Sequence, residues 1–173
     1  METSNEPLDH GQFQPAPVTE YDGLVQEDID ARLKSVSSWF YWMVGLSLVN
    51  TVIVSSGSTW AFYLGLGITQ VIDIVGLNFK TVQEASGASG ISGGQIACWF
   101  ADLLILGFLV FLAVMLTRRM AWALWCGVIL YGFDALFFLV ATQWIALGFH
   151  AFVLYKLSRG FSILKEAKQI ANA

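Results

Sequence analysis

The sequence predicts an all-α protein: a polytopic transmembrane helical bundle of about five hydrophobic helices. Three observations predict it. Of 173 residues, 56% are hydrophobic and only 13% are charged, whereas a soluble domain carries about 25% charged residues. The charge is also pushed to the ends: from Val36 to Tyr155 the only acidic or basic residues are Asp73, Lys80, Glu84, Asp102, Arg118, Arg119 and Asp134. Finally, seven tryptophans, Trp39, Trp42, Trp60, Trp99, Trp122, Trp125 and Trp144, stand at or near the starts of five apolar stretches. Tryptophan settles at the membrane–water interface, with its ring buried and its N–H wet.

The elements follow in order. Residues 1–22 form an acidic tail in which Pro7, Pro15 and Pro17 break any period, and disorder is expected. No signal-peptide core is visible there, and no lipidation motif. Over residues 23–35, Leu24, Val25, Ile29 and Leu33 recur at helical spacing opposite Asp28, Asp30, Arg32 and Lys34. This predicts an amphipathic surface helix leading into the first span. Residues 36–164 form the bundle. Its spans are Val36–Ser55, closed by Ser56-Gly57-Ser58-Thr59; Trp60–Leu77; Ile96–Leu116, closed by Arg118-Arg119; Met120–Ala141; and Trp144–Ile163. Between the second and third, Asn78–Gln95 reads as a flexible Gly/Ser loop. Residues 165–173 form a basic tail on a helix that outruns the membrane. Small residues four apart, Ser47/Thr51/Ser55, Ala61/Gly65 and Ala97/Ala101, are candidate packing seams. Cys98 and Cys126 would differ in depth by ~20 Å at 1.5 Å rise per residue, too far for a disulfide, which needs Cα atoms within about 7 Å.

Topology has two solutions. Five crossings place Arg118, Arg119, Lys156 and Arg159 on one face, with the C-terminus cytoplasmic and the acidic tail outside. If one segment only dips into the membrane or lies at its interface, four crossings remain. Taking the first segment as the one that dips puts both termini in the cytoplasm, with eight basic residues inside against Lys80 outside.

The spans hold few polar side chains able to act: Asn50, Gln70, Asp73, Asp102, Asp134 and His150. Asp134 and His150 lie eight residues either side of Thr142, hence at one level on antiparallel helices. Counted from Arg118-Arg119, Asp102 matches Asp134. Counted from Gly57, Asp73 joins them, so four ionisable groups would share a level ~24 Å from the Arg118-Arg119 face. A charge facing lipid costs at least about 2.5–3.5 kcal/mol, so inward pairing of Asp134 with His150 is the cheap arrangement. These groups suit either interhelical hydrogen bonding or a proton or ion path.

Catalytic templates are missing. The chain has no nucleophile elbow, no CxxC, and no HExxH or P-loop. One membrane histidine with scattered aspartates lacks metal-ligand spacing, so neither a metal nor another cofactor is expected. The net charge of −4 argues against nucleic acid.

Gly65-Leu66-Gly67-Ile68-Thr69-Gln70-Val71-Ile72-Asp73, Tyr131-Gly132-Phe133-Asp134, Gly148-Phe149-His150-Ala151-Phe152 and Arg159-Gly160 form a motif set together with Trp39-Phe40-Tyr41-Trp42. With it, most of Trp39–Lys165 resembles an uncharacterised group of small bacterial multi-pass inner-membrane proteins. The resemblance implies a bacterial inner-membrane location and a helical bundle, and no activity. The expected function is that of a non-enzymatic scaffold or accessory subunit, whose partners are the lipid bilayer and other membrane subunits or further copies of itself. The alternative is proton, ion or small-solute transport through an oligomer, using the intramembrane Asp and His residues.

Overall fold

A computed structural model describes residues 18–56 and 65–172, all helix and turn. Of the tail 1–22 expected to be disordered, residues 1–17 lie outside the described residues, as do the turn Gly57-Ser58-Thr59, Trp60 and Ala61, whereas residues 18–22 are helical and belong to the start of α1. Five helices follow in order: α1 (Val18–Ser55), α2 (Gly67–Ala85), α3 (Gly93–Thr117), α4 (Ala121–Val140) and α5 (Trp144–Ala171). Three helices are long and apolar enough to cross a membrane, at Asp22–Ser55, Gly93–Thr117 and Ala121–Val140. Their outward faces carry large apolar side chains, among them Val52, Phe100, Leu103, Phe133, Leu136 and Val140, as expected of helices that face lipid.

Contacts fix the relative directions of the helices. Phe40 of α1 seats its ring on Gly127 of α4, where a Cβ would collide with it. Arg32 of α1 pairs with Glu166 of α5 at 3.0 Å, and Arg119 of the α3–α4 turn reaches Asp30 at 2.7 Å. The first half of α1, the α3–α4 turn and the last turns of α5 therefore share one end. α1 and α4 rise from it, while α3 and α5 return. α2 rises beside α1: Leu66 meets Ser47, and Asp73 meets Thr51. α2 thus starts inside the bundle, beside Asp134, and climbs parallel to the helix before it.

Two expectations change. The stretch 23–35 is no separate surface helix but the first part of α1. Its apolar side, Ile29, Leu33, Val36 and Phe40, is buried in the main core, because α5 and the α3–α4 turn cover it. The expected loop Asn78–Gln95 is helical as far as Ala85 and again from Gly93. Its polar residues marked an exposed surface, and exposure does not prevent helix.

The helix ends explain the tight turns. After α2, Ala88 N–H donates to Gln83 O and Gly87 N–H to Glu84 O, with Gly87 at φ +81°. This is a Schellman stop, which places its C′ residue in the left-handed region. α3 and α4 end the same way, with Met120→Met115 and Gln143→Phe138 bonds. There the left-handed residues are Arg119 (φ 61°) and Thr142 (φ 57°).

Candidate functional site

The buried polar residues gather into two clusters rather than one level. The first is built on Asp134. Its Oδ2 accepts from Gly67 N–H at 2.9 Å and its Oδ1 from Ile68 N–H at 3.0 Å. The first N–H groups of a helix lack intrahelical partners and carry a partial positive charge. A carboxylate from α4 thus caps α2, which has no side-chain cap of its own at Leu66. Gly67 allows the approach: a Cβ there would lie 2.8 Å from Phe137 and 2.9 Å from Phe138. Ser47 completes the seat, its Oγ accepting from Leu66 N–H at 2.9 Å.

His150 closes this cluster. Its Nε2 lies 2.8 Å from Asp134 Oδ2, and its Nδ1 lies 2.8 Å from the carbonyl oxygen of Ala146. A carbonyl only accepts, so Nδ1 carries a proton. One further proton lies between Nε2 and the carboxylate. Without it, a lone pair would face a carboxylate oxygen. The imidazole is fully buried and stacks on Tyr131, with centroids 4.4 Å apart and planes at 12°. The Tyr131 hydroxyl is buried with no hydrogen-bond partner among the described residues.

The second cluster lies six residues further along α2, a rise of ~9 Å. Asp73 Oδ2 accepts from Thr51 Oγ1 at 2.9 Å. Asp102 of α3 is the neighbouring acidic group. Both Asp102 oxygens and Asp73 Oδ1 lack a hydrogen-bond partner among the described residues. Asp102 also lines a groove of about 460 Å³ between α1 and α3. The expected single level fails here because α2 begins at Gly67, inside the bundle, and ascends. Asp102 is thereby matched to Asp73 and not to Asp134 and His150. Asn50 and Gln70 are buried, and neither is without a partner. No group of three or more His, Cys, Asp or Glu that could hold a metal ion occurs among the described residues. Cys98 and Cys126 are both free.

The tryptophans form two tiers. Trp39, Trp42, Trp122 and Trp125 lie toward the end with the α3–α4 turn, and Trp99 and Trp144 toward the other. Trp125 packs on Phe161 at 4.6 Å and Trp122 on Phe111 at 5.9 Å. Of the basic anchors, Arg119 is tied to α1, donating to Gln26 Oε1 at 2.6 Å as well as to Asp30. Arg118 is exposed, and Lys156 and Arg159 line a cleft between α1 and α5.

Sequence reasoning had named the Asp134–His150 pair, because equal counts from a turn reveal equal depth. It missed the capping of α2, whose donors are backbone N–H groups with no side-chain signature. It noted Ser47 and Thr51 as small packing residues and missed them as hydrogen-bonding partners. Comparison with known proteins finds no match, whether among protein families, curated proteins or solved structures.

Proposed function

We propose that this chain is a non-enzymatic integral membrane protein, a scaffold or accessory subunit of a membrane assembly. One observation carries the reading: the central polar cluster is used up in holding helices together. Both Asp134 oxygens and both His150 ring nitrogens already have protein partners. Every oxygen and ring nitrogen of this pair is therefore engaged in joining α2, α4 and α5. The apolar outer faces of α1, α3 and α4 suit lipid and neighbouring subunits.

Four crossings, α1, α3, α4 and α5, fit the helix directions, with α2 re-entering from the far side. The eight basic residues from Arg32 to Lys168 other than Lys80 then share one face, which the positive-inside rule makes cytoplasmic. A bacterial inner-membrane location rests on the resemblance noted above.

The test is purification in mild detergent followed by reconstitution. A partner or second copy in fixed stoichiometry, with no ion flux above empty liposomes, is the expected result. Proton or ion flux by the protein alone would overturn it. A second reading, transport, is favoured by Asp102, a residue lining the groove between α1 and α3 whose two oxygens have no hydrogen-bond partner among the described residues. It requires flux that disappears in Asp102→Asn.

A further inference from the structure

The cleft between α1 and α5 has a charge pattern that the scaffold reading does not use. Arg32, Lys156 and Arg159 line it together with Ser35, Ser38 and Ser162, around about 500 Å³ of space. No carboxylate among the described residues lines it. Small-molecule sites span about 300–1,000 Å³. We propose that this cleft binds a phosphate group, and that its occupant is the headgroup of an anionic phospholipid.

Three features argue for it. First, the cations are placed but not neutralised as a set. Arg32 is held by Glu166 at 3.0 Å and by Asp28 at 3.4 Å. Lys156 and Arg159 have no ion pair among the described residues, and Lys156 Nζ sits 5.3 Å from the centroid of Phe152. Unpaired Lys and Arg beside hydroxyl groups suit a phosphate, which accepts charge-assisted hydrogen bonds on several oxygens.

Second, the depth is that of a headgroup. Gly160 of α5 is approached by Val36 and by Leu124, and Leu124 lies in the first turn of α4. The cleft is therefore about one turn from the α3–α4 turn. This step rests on the membrane reading above, with that end at the cytoplasmic leaflet. Basic sites between membrane helices on that side suit anionic headgroups.

Third, the walls continue into apolar surface. Val36 and Ile163 are buried beside the cleft. Trp39, edge-on to Phe152 at 5.3 Å, adds an interfacial indole. Free phosphate has no use for such walls, whereas a glycerol backbone and acyl chains do.

The test uses the full chain in delipidated detergent micelles and reads melting temperature during three titrations: phosphatidylglycerol, phosphatidylcholine and inorganic phosphate. Phosphatidylglycerol should raise the melting temperature, and phosphatidylcholine should not. Each of Lys156→Gln and Arg159→Gln should move the phosphatidylglycerol midpoint about fivefold higher, a charge near the surface being worth about 1 kcal/mol. Arg159 is exposed and Lys156 half-buried, and neither has an ion pair to lose among the described residues, so the lipid-free melting temperature of each variant should stay near wild type and serve as the folding control. A phosphatidylglycerol midpoint unmoved by either variant, or no shift at all, overturns the site. Inorganic phosphate acting as well as the lipid overturns the lipid assignment. Recovery of the chain in water without detergent would instead defeat the membrane reading, a failure distinct from a detergent-dependent protein with no lipid response.

Discussion

Asp134 is a side chain of α4 that completes α2. Its two oxygens have three partners, two of them backbone N–H groups 67 and 66 residues away in the chain, the third the Nε2 of His150. Replacing it with Asn leaves one acceptor and turns an NH2 toward groups that also donate. Breaking a buried pair by removing one partner costs about 3–5 kcal/mol. Asp134→Asn should therefore lower the thermal midpoint in detergent well below wild type, and an unchanged midpoint would show that the cap carries no stability. In a double-mutant cycle with His150→Ala, the coupling should fall within about 0.5–3 kcal/mol, as for residues in one hydrogen-bond network. Gly67→Ala should cost about 1–3 kcal/mol by overpacking, since its Cβ would press on the rings of Phe137 and Phe138. A substitution there that leaves stability intact would mean the rings yield freely. The Asp134–His150 pair was legible in the sequence because both residues are counted from one turn, Thr142-Gln143. The cap was not, because any buried Asp looks alike until the helix it faces is known.

At the scale of the helix, the stops are informative. α2, α3 and α4 end in the same hydrogen-bond pattern, yet only α2 supplies a glycine for the left-handed position. A β-branched residue is strained there, and the left-handed conformation costs an L-residue roughly 1–2 kcal/mol. Thr142 is exposed, and its hydroxyl bonds only to Ala141 O at 2.8 Å. Thr142→Gly should thus stabilise the protein by about 1 kcal/mol, read as a raised melting temperature. A fall would mean that the hydroxyl matters more than the backbone strain. Arg119 is a different case, because its side chain leaves the turn to hold Asp30 and Gln26 of α1. The sequence located α3, α4 and α5 well, since Arg118-Arg119 and Thr142-Gln143 interrupt otherwise unbroken apolar runs. It placed Gly65 and Leu66 in the second span, where the chain is not helical, and ended that span at Leu77, short of Ala85. Hydropathy marks what lipid can accept, so Leu66 and its glycine neighbour were read as span. The polar run Asn78-Phe79-Lys80-Thr81 was read as loop, though Ser92 caps α3 only seven residues beyond Ala85.

For the whole molecule, the direction of α2 is what supports the proposed topology. An antiparallel α2 would make five crossings and put the termini on opposite faces. The bonds from Leu66 to Ser47 and from Thr51 to Asp73 make it parallel to α1. In the proposed four-crossing arrangement, the even number returns the chain to the side from which it started. Arg32 beside Glu166 is the same conclusion reached from the two ends of the chain. Single cysteines at Asp22, Ser89 and Asn172, all exposed, make this measurable once Cys98 and Cys126 are replaced by Ala. In membrane vesicles of one orientation, an impermeant maleimide should label positions 22 and 172 from one side and position 89 from the other. The positive-inside rule assigns the first two to the cytoplasm, because Arg118 and Arg119 lie at the same end of the bundle as both termini. Labelling of Asp22→Cys and Asn172→Cys from opposite sides would require α2 to cross fully. The Asp134 cap would then have to sit on a helix entering the bilayer from the other face, an arrangement these contacts do not permit.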